Sequence, residues 1–146
     1  MKLKIQCHYP GMSSPSRAHH DDAGLDLCAM DVTEQRRGVF AFDTGVSVAP
    51  EDGYYCEVVP RSSIVKSDFF QGNSVGVIDP AYRGRIMVVL RYLGENGDGG
   101  LSAARSLVGK RIAQLLVRRL ETVLVEQVES LEDTHRGAGG FGSTGD

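Results

Sequence analysis

Asp79 and Tyr82 bracket Pro80-Ala81 between two apolar runs, which places one carboxylate and one aromatic ring at the mouth of what reads as a hairpin over Asn73–Ile86. A single carboxylate that activates water is enough to hydrolyse a phosphoanhydride, provided cations neutralise the phosphate charge. Pro60-Arg61-Ser62-Ser63 offers a planar guanidinium fork and two hydroxyls, the donor set of a phosphate clamp. The serines also read as caps of a short helix over residues 64–68. In Ala23-Gly24-Leu25-Asp26-Leu27 the alternation turns both leucines one way and the Asp26 carboxylate the other. Gly109–Gln114 supplies Lys110, Arg111 and the Gln114 amide near the start of an apolar segment. Finally, Arg136–Asp146 holds five glycines, an arginine, Phe141 and the hydroxyls of Ser143 and Thr144. Such a stretch builds no core, but its amides can nest an anion and its one aromatic face can stack on a base. No lysine stands where a Walker loop needs one. Taken singly, each group has an ordinary reading too: a turn aspartate, a helix cap, a surface carboxylate, a basic strand edge, a glycine-rich terminus.

The elements that must position these groups read as short strands punctuated by turns. Lys2–Tyr9, Val39–Val48, Tyr54–Val59 and Arg85–Leu93 have strand character, and Phe40, Phe42, Val46 and Val48 alternate around Asp43-Thr44-Gly45 like a second hairpin. Residues 95–100 form a polar loop. Between Lys110 and Leu120 periodicity alone leaves helix and strand both open. Many strands and few helices predict an all-β sandwich or barrel. A length of 146 residues suits one domain. No apolar run approaches the ~20 residues of a membrane-spanning helix. The net charge of −3 disfavours broad binding to nucleic acid, so any anion site depends on locally placed arginines. Cys7, Cys28 and Cys56 have neither the number nor the spacing of a disulfide framework or metal cluster, and the four histidines show no ligand-like spacing.

In chain order AGLDL (23–27), PRSS (60–63), GVIDPAYRG (76–84) with Asn73 before it, GKRIAQL (109–115) and RGAGGFGSTG (136–145) resemble the five motifs of the trimeric dUTP nucleotidohydrolases. The resemblance implies a single domain, 1–146, with a distorted jelly-roll β core over 1–135 and a closing tail over 136–146. It resolves the 110–120 segment as strand, and implies a homotrimer with active sites between subunits. The implied reaction converts dUTP and water to dUMP and pyrophosphate with Mg²⁺ on the triphosphate, which keeps uracil out of DNA and supplies dUMP for thymidylate synthesis.

By position in those motifs, Asp79 would be the base that activates water and would also touch the 3′-hydroxyl. Tyr82 would pack on the deoxyribose and leave no room for a 2′-hydroxyl. Asn73, Gly76, Val77 and Ile78 would read uracil, and Met87 would line the same pocket. Arg61, Ser62, Ser63 and Gln114 would hold the phosphates, and Asp26 would act on Mg²⁺ through water. Arg136 would reach the γ-phosphate while Phe141 stacks over the base, with Gly142 and Ser143 adding contacts. The loop 94–106 is longer than in compact members. Two other functions were weighed: a dCTP deaminase of the same fold, which would not use the RG…GFGSTG closure, and a non-catalytic nucleotide-sensing trimer, which would be expected to lose Asp79 or the tail. The expected setting is cytoplasmic, or nuclear in a eukaryotic or viral host, with no membrane partner and no direct nucleic-acid binding.

Overall fold

The computed structural model describes residues 1–95 and 97–140. Ten strands dominate it: β1 Leu3–Cys7, β2 Leu25–Cys28, β3 Asp31–Arg36, β4 Val39–Asp43, β5 Val46–Pro50, β6 Tyr54–Pro60, β7 Phe69–Gln71, β8 Gly76–Ile78, β9 Met87–Tyr92 and β10 Arg111–Arg119. One short helix, α1, spans Leu101–Arg105, and a 3-10 turn spans Ser62–Lys66. Two four-stranded sheets, in the orders β2-β10-β6-β8 and β3-β4-β9-β7, accompany a β1-β5 pair. The seven pairings between these strands are all antiparallel, and most join strands distant in sequence, the arrangement of a jelly roll. Among the described residues no helix is long and apolar enough to cross a membrane.

The core fills from both sheets. Phe40, Phe42, Val88 and Leu90 from one meet Leu27, Cys56, Val58, Ala113 and Leu115 from the other. Phe40 and Phe69 pack edge to face with ring centroids 6.1 Å apart. The 110–120 segment is a strand because its inward residues pair with both β2 and β6; burial between two neighbours outweighs the helical spacing of its leucines.

Both expected hairpins are corrected. β4 pairs with β3 and β9, whereas β5 pairs with β1, so Asp43-Thr44-Gly45 carries the chain from one sheet into another. β8 pairs with β6 and β9 with β4 and β7, so residues 79–86 also cross between sheets. Alternation reports which face a residue takes, not which strand it pairs with, and at these two places the partners are remote. The expected helix over 64–68 is instead the 3-10 turn starting at Ser62, with Arg61 before it and no capping side chain. The polar loop after Gly94 runs into α1, whose start is held by Asp98: its carboxylate accepts the Gly100 and Ser102 amides at 2.9 Å each.

Candidate active site

Gln114 and Arg111 from β10 and Arg61 from the end of β6 converge on Asp26 of β2. Gln114 lies opposite it on β10. Asp26 Oδ2 accepts Arg111 Nη1 at 2.9 Å, and Arg61 Nε forms an ion pair with Oδ1 at 2.7 Å. Arg61 follows the last residue of β6, and β6 pairs with β10, so the sheet order β2-β10-β6 brings these groups together. Arg111 owes its place to a bulge. Arg111 pairs with Cys28 and Ala113 with Leu27, so two residues of β10 oppose one step of β2. The extra residue shifts the parity, and Arg111 and Gln114 share Asp26's face while the consecutive residues Ile112 and Ala113 are both buried.

Gln114 Nε2 donates to the Pro60 carbonyl at 3.1 Å. Gly24 is where it is because a Cβ there would lie 2.5 Å from Gln114 Oε1. Around this group opens a cavity of about 200 Å³ lined by Asp22, Gly24, Asp26, Arg61, Ser62 and Gln114. Arg61 spends its Nε on Asp26, which leaves the two Nη groups as donors. Ser62 and Ser63 are exposed. A larger cavity of about 430 Å³ shares Asp26 but has Met12, Cys28 and Met30 in its lining, with Arg111, a poorer setting for a polyanion.

The second group gathers around β8. Gly76 is buried against Val58 with the Asn73 amide beside it; a Cβ at Gly76 would stand 3.2 Å from Asn73 Nδ2. Val77 points outward and is 59% exposed, while Ile78 packs against the core. Asp79 begins a turn closed by Tyr82 N–H on its carbonyl at 3.0 Å, and its side chain is exposed. The Tyr82 hydroxyl donates to the Arg85 carbonyl at 3.1 Å, and the ring is 44% exposed. Met87, also exposed, opens β9.

The two groups do not meet within one chain. On β6, Pro60 pairs with Ala113 and Cys56 with Ile78, so the two ends lie four residues apart, about 13 Å along the strand. Arg61 and Asp79 extend that gap in opposite directions, to about 20 Å between their Cα atoms.

Residues 120–140 contain no strand or helix and carry exposed Val123, Leu124, Val125 and Leu131. Arg136 is exposed and its Nε donates to the Gly139 carbonyl at 3.0 Å, inside its own turn and away from both groups' side chains. Phe141, Gly142 and Ser143 lie outside the described residues. The sequence reading named Arg111 among the cations of its motif but gave it no place in the site, and it missed Asp22, which gave no signal before the loop was folded.

The donor set around Asp26 fits Mg²⁺ held at one remove. Both carboxylate oxygens are already paired with guanidinium groups, and among the described residues no three His, Cys, Asp or Glu side chains cluster. An ion there would draw its direct ligands from phosphate oxygens and water, the habit of Mg²⁺.

The family model described as dUTPase matches residues 11–145. A Rhodococcus erythropolis protein named deoxyuridine 5'-triphosphate nucleotidohydrolase is 41% identical over 138 residues, covering 93% of this chain and 81% of its own. A protein of the same name from Wolinella succinogenes is 37% identical over 147 residues, covering 99% and 95%. Among solved structures, a variant dUTPase of Staphylococcus bacteriophage 80alpha with dUpNHpp superposes with a TM-score of 0.80 at 23% identity, covering 99% of each chain. A variant dUTPase of S. aureus phage phi11, described as revealing the coordination of a structural Mg(II) ion, superposes with a TM-score of 0.72 at 22% identity, covering 91% of this chain and 100% of its own.

Proposed function

The chain belongs to the dUTPase family and hydrolyses dUTP, and from that premise we propose how its residues divide the work. The Asp79 carboxylate takes a proton from water as the water oxygen bonds to the α-phosphorus. The bond from that phosphorus to the bridging oxygen breaks, and pyrophosphate leaves beside dUMP. The Nη groups of Arg61, the hydroxyls of Ser62 and Ser63 and the Gln114 amide hold the phosphate chain, with Ser62 nearest the bridging oxygen. Asp26 keeps Arg61 in place and, through water, would hold Mg²⁺, which supplies charge neutralisation on the triphosphate when bound. The strand backbone at Gly76–Ile78 with Asn73 reads uracil, Met87 lines that pocket, and Tyr82 faces the deoxyribose. Arg136 reaches the γ-phosphate, Phe141 covers the base, and Gly142 and Ser143 complete a tail, 136–146, that excludes bulk water. The nucleotide pool it acts on is cytoplasmic, which is where we place the enzyme.

One observation carries the assembly: the clamp and the base are about 20 Å apart in a single chain. A base that activates the attacking water must come within hydrogen-bond reach of it, so Asp79 serves phosphates held by a different copy. A closed trimer places three such composite sites, and the apolar row at Val123–Val125 is available to the neighbouring copy. Mixing two inactive variants tests this. Asp79→Asn and Arg61→Gln chains, unfolded and refolded together, should regain activity at about a quarter of sites, the share in which each intact half comes from a different chain. If the mixture stays inactive although mixed trimers form, the site is not shared.

A further inference from the structure

We propose that Asp43 is a positioning residue for Tyr82, and through it sets the discrimination between a deoxyribonucleotide and a ribonucleotide; this rests on the reading of Tyr82 as the ring that faces the sugar. Residues 79–86 run between strands of different sheets, so no ladder partner orients them. Their placement comes instead from the other sheet-crossing segment, Asp43–Val46. Thr44, fully buried, donates its hydroxyl to the Ile86 carbonyl at 2.7 Å, and Ile86 N–H donates to the Val46 carbonyl at 2.8 Å. Asp43 holds the residue before: its Oδ2 accepts Arg85 Nη1 at 2.5 Å and the Tyr9 hydroxyl at 3.2 Å, while Oδ1 accepts the Gly45 amide at 2.7 Å.

The Arg85 guanidinium also lies over the Tyr9 ring, 5.9 Å from its centroid. Arg85 is thus anchored by its side chain, and its carbonyl accepts the Tyr82 hydroxyl. The Tyr82 ring is 44% exposed, so packing does little to orient it; the hydroxyl contact to Arg85 does. The Asp43 carboxylate is only 15% exposed, a setting in which a charged hydrogen bond keeps its strength. Burial, and next the Asp43 charge, raise the Tyr9 hydroxyl's pKa, so Tyr9 stays a donor to that carboxylate across the working pH range.

The test compares kcat/KM for dUTP and UTP in Asp43→Asn, which keeps the shape and an acceptor for Gly45 but loses the charge. The dUTP-to-UTP ratio should fall roughly tenfold, the worth of about one hydrogen bond. Arg85→Met, which breaks the same pair from the other side, should give a similar fall and carries the test if Asp43→Asn does not fold. Tyr82→Phe should lower the ratio on its own, and adding Asp43→Asn to it should lower it no further. An equal loss on both nucleotides, or a further fall in the double variant, would overturn the proposal. A wild-type enzyme that treats dUTP and UTP alike would instead overturn the reading of Tyr82 beneath it.

Discussion

Replacing Gly24 with alanine tests the phosphate clamp through its tightest contact. The added Cβ would stand 2.5 Å from Gln114 Oε1, 3.0 Å from its Cβ and 3.1 Å from its Cδ. The first contact is about 1 Å inside the optimum for non-bonded atoms. Turning the amide away relieves it, at the cost of the bond to the Pro60 carbonyl, about 1 kcal/mol. The contact with Gln114 Cβ is not relieved that way, because that atom is fixed to β10, paired on both sides. Overpacking of this kind costs about 1–3 kcal/mol, and the smaller unfolded-state entropy of alanine returns about 0.4–1 kcal/mol. The net expectation is a loss of roughly 1–3 kcal/mol in denaturant unfolding, with dUTP hydrolysis falling more steeply because Gln114 no longer points into the cavity. Gln114→Ala in the Gly24→Ala background removes the two amide contacts and should restore part of the stability but none of the activity, because the Cβ contact and the lost Pro60 bond remain. Unchanged stability and activity in Gly24→Ala would refute the packing argument. Recovery of activity in the double variant would refute the role given to Gln114.

Asp79→Asn should cut pyrophosphate release from dUTP by roughly 10²–10⁴-fold, as expected for losing a general base, while a non-hydrolysable dUTP analogue still binds in titration calorimetry. Deleting residues 136–146 should leave circular dichroism and thermal unfolding nearly unchanged, because the last strand among the described residues ends at Arg119, and reduce turnover severely. Hydrogen bonds from the Ser102 hydroxyl and amide, then from the Gly100 amide, lower the Asp98 pKa from 3.8 to about 2. A carboxylate depressed in the folded state stabilises above its unfolded value, so the advantage of wild type over Asp98→Ala should be constant above about pH 5 and shrink from about pH 4 to pH 2 in a denaturation series.

The motifs were legible because each is local: a carboxylate beside a turn, a guanidinium beside hydroxyls, glycines with one aromatic. Strand identity was legible for Tyr54–Pro60 and Met87–Tyr92 for the same reason. Pairing was not. The alternation around Asp43-Thr44-Gly45 is genuine, with Phe40, Phe42, Val46 and Val48 all buried, yet the two runs belong to different sheets. The pairing of Arg111 with Asp26 was hidden for a related reason: a one-residue bulge is invisible in a pattern of period two, and it reverses the face of everything before it. Asp98 and α1 were hidden in a stretch whose glycines and charges read as loop, because the carboxylate holding the helix start sits outside the helix.

These misreadings have one physical origin that also explains the site. A jelly roll is held by pairings distant in sequence, so its connections pass from sheet to sheet, and those crossings are free of ladder hydrogen bonds. Free backbone is what a nucleotide needs for recognition, and it must still be rigid to discriminate. Asp79–Ile86 meets both demands: its groups face outward while Thr44 and Asp43 fix its far end from within. The clamp is rigid by another route, since Asp26, Gln114 and Arg61 sit on or beside the ladders of β2, β10 and β6. β6 then holds clamp and base at opposite ends. On the proposed division of labour, that spacing keeps one chain from completing a site alone, so association of copies, rather than movement within one, would be the step that creates catalysis.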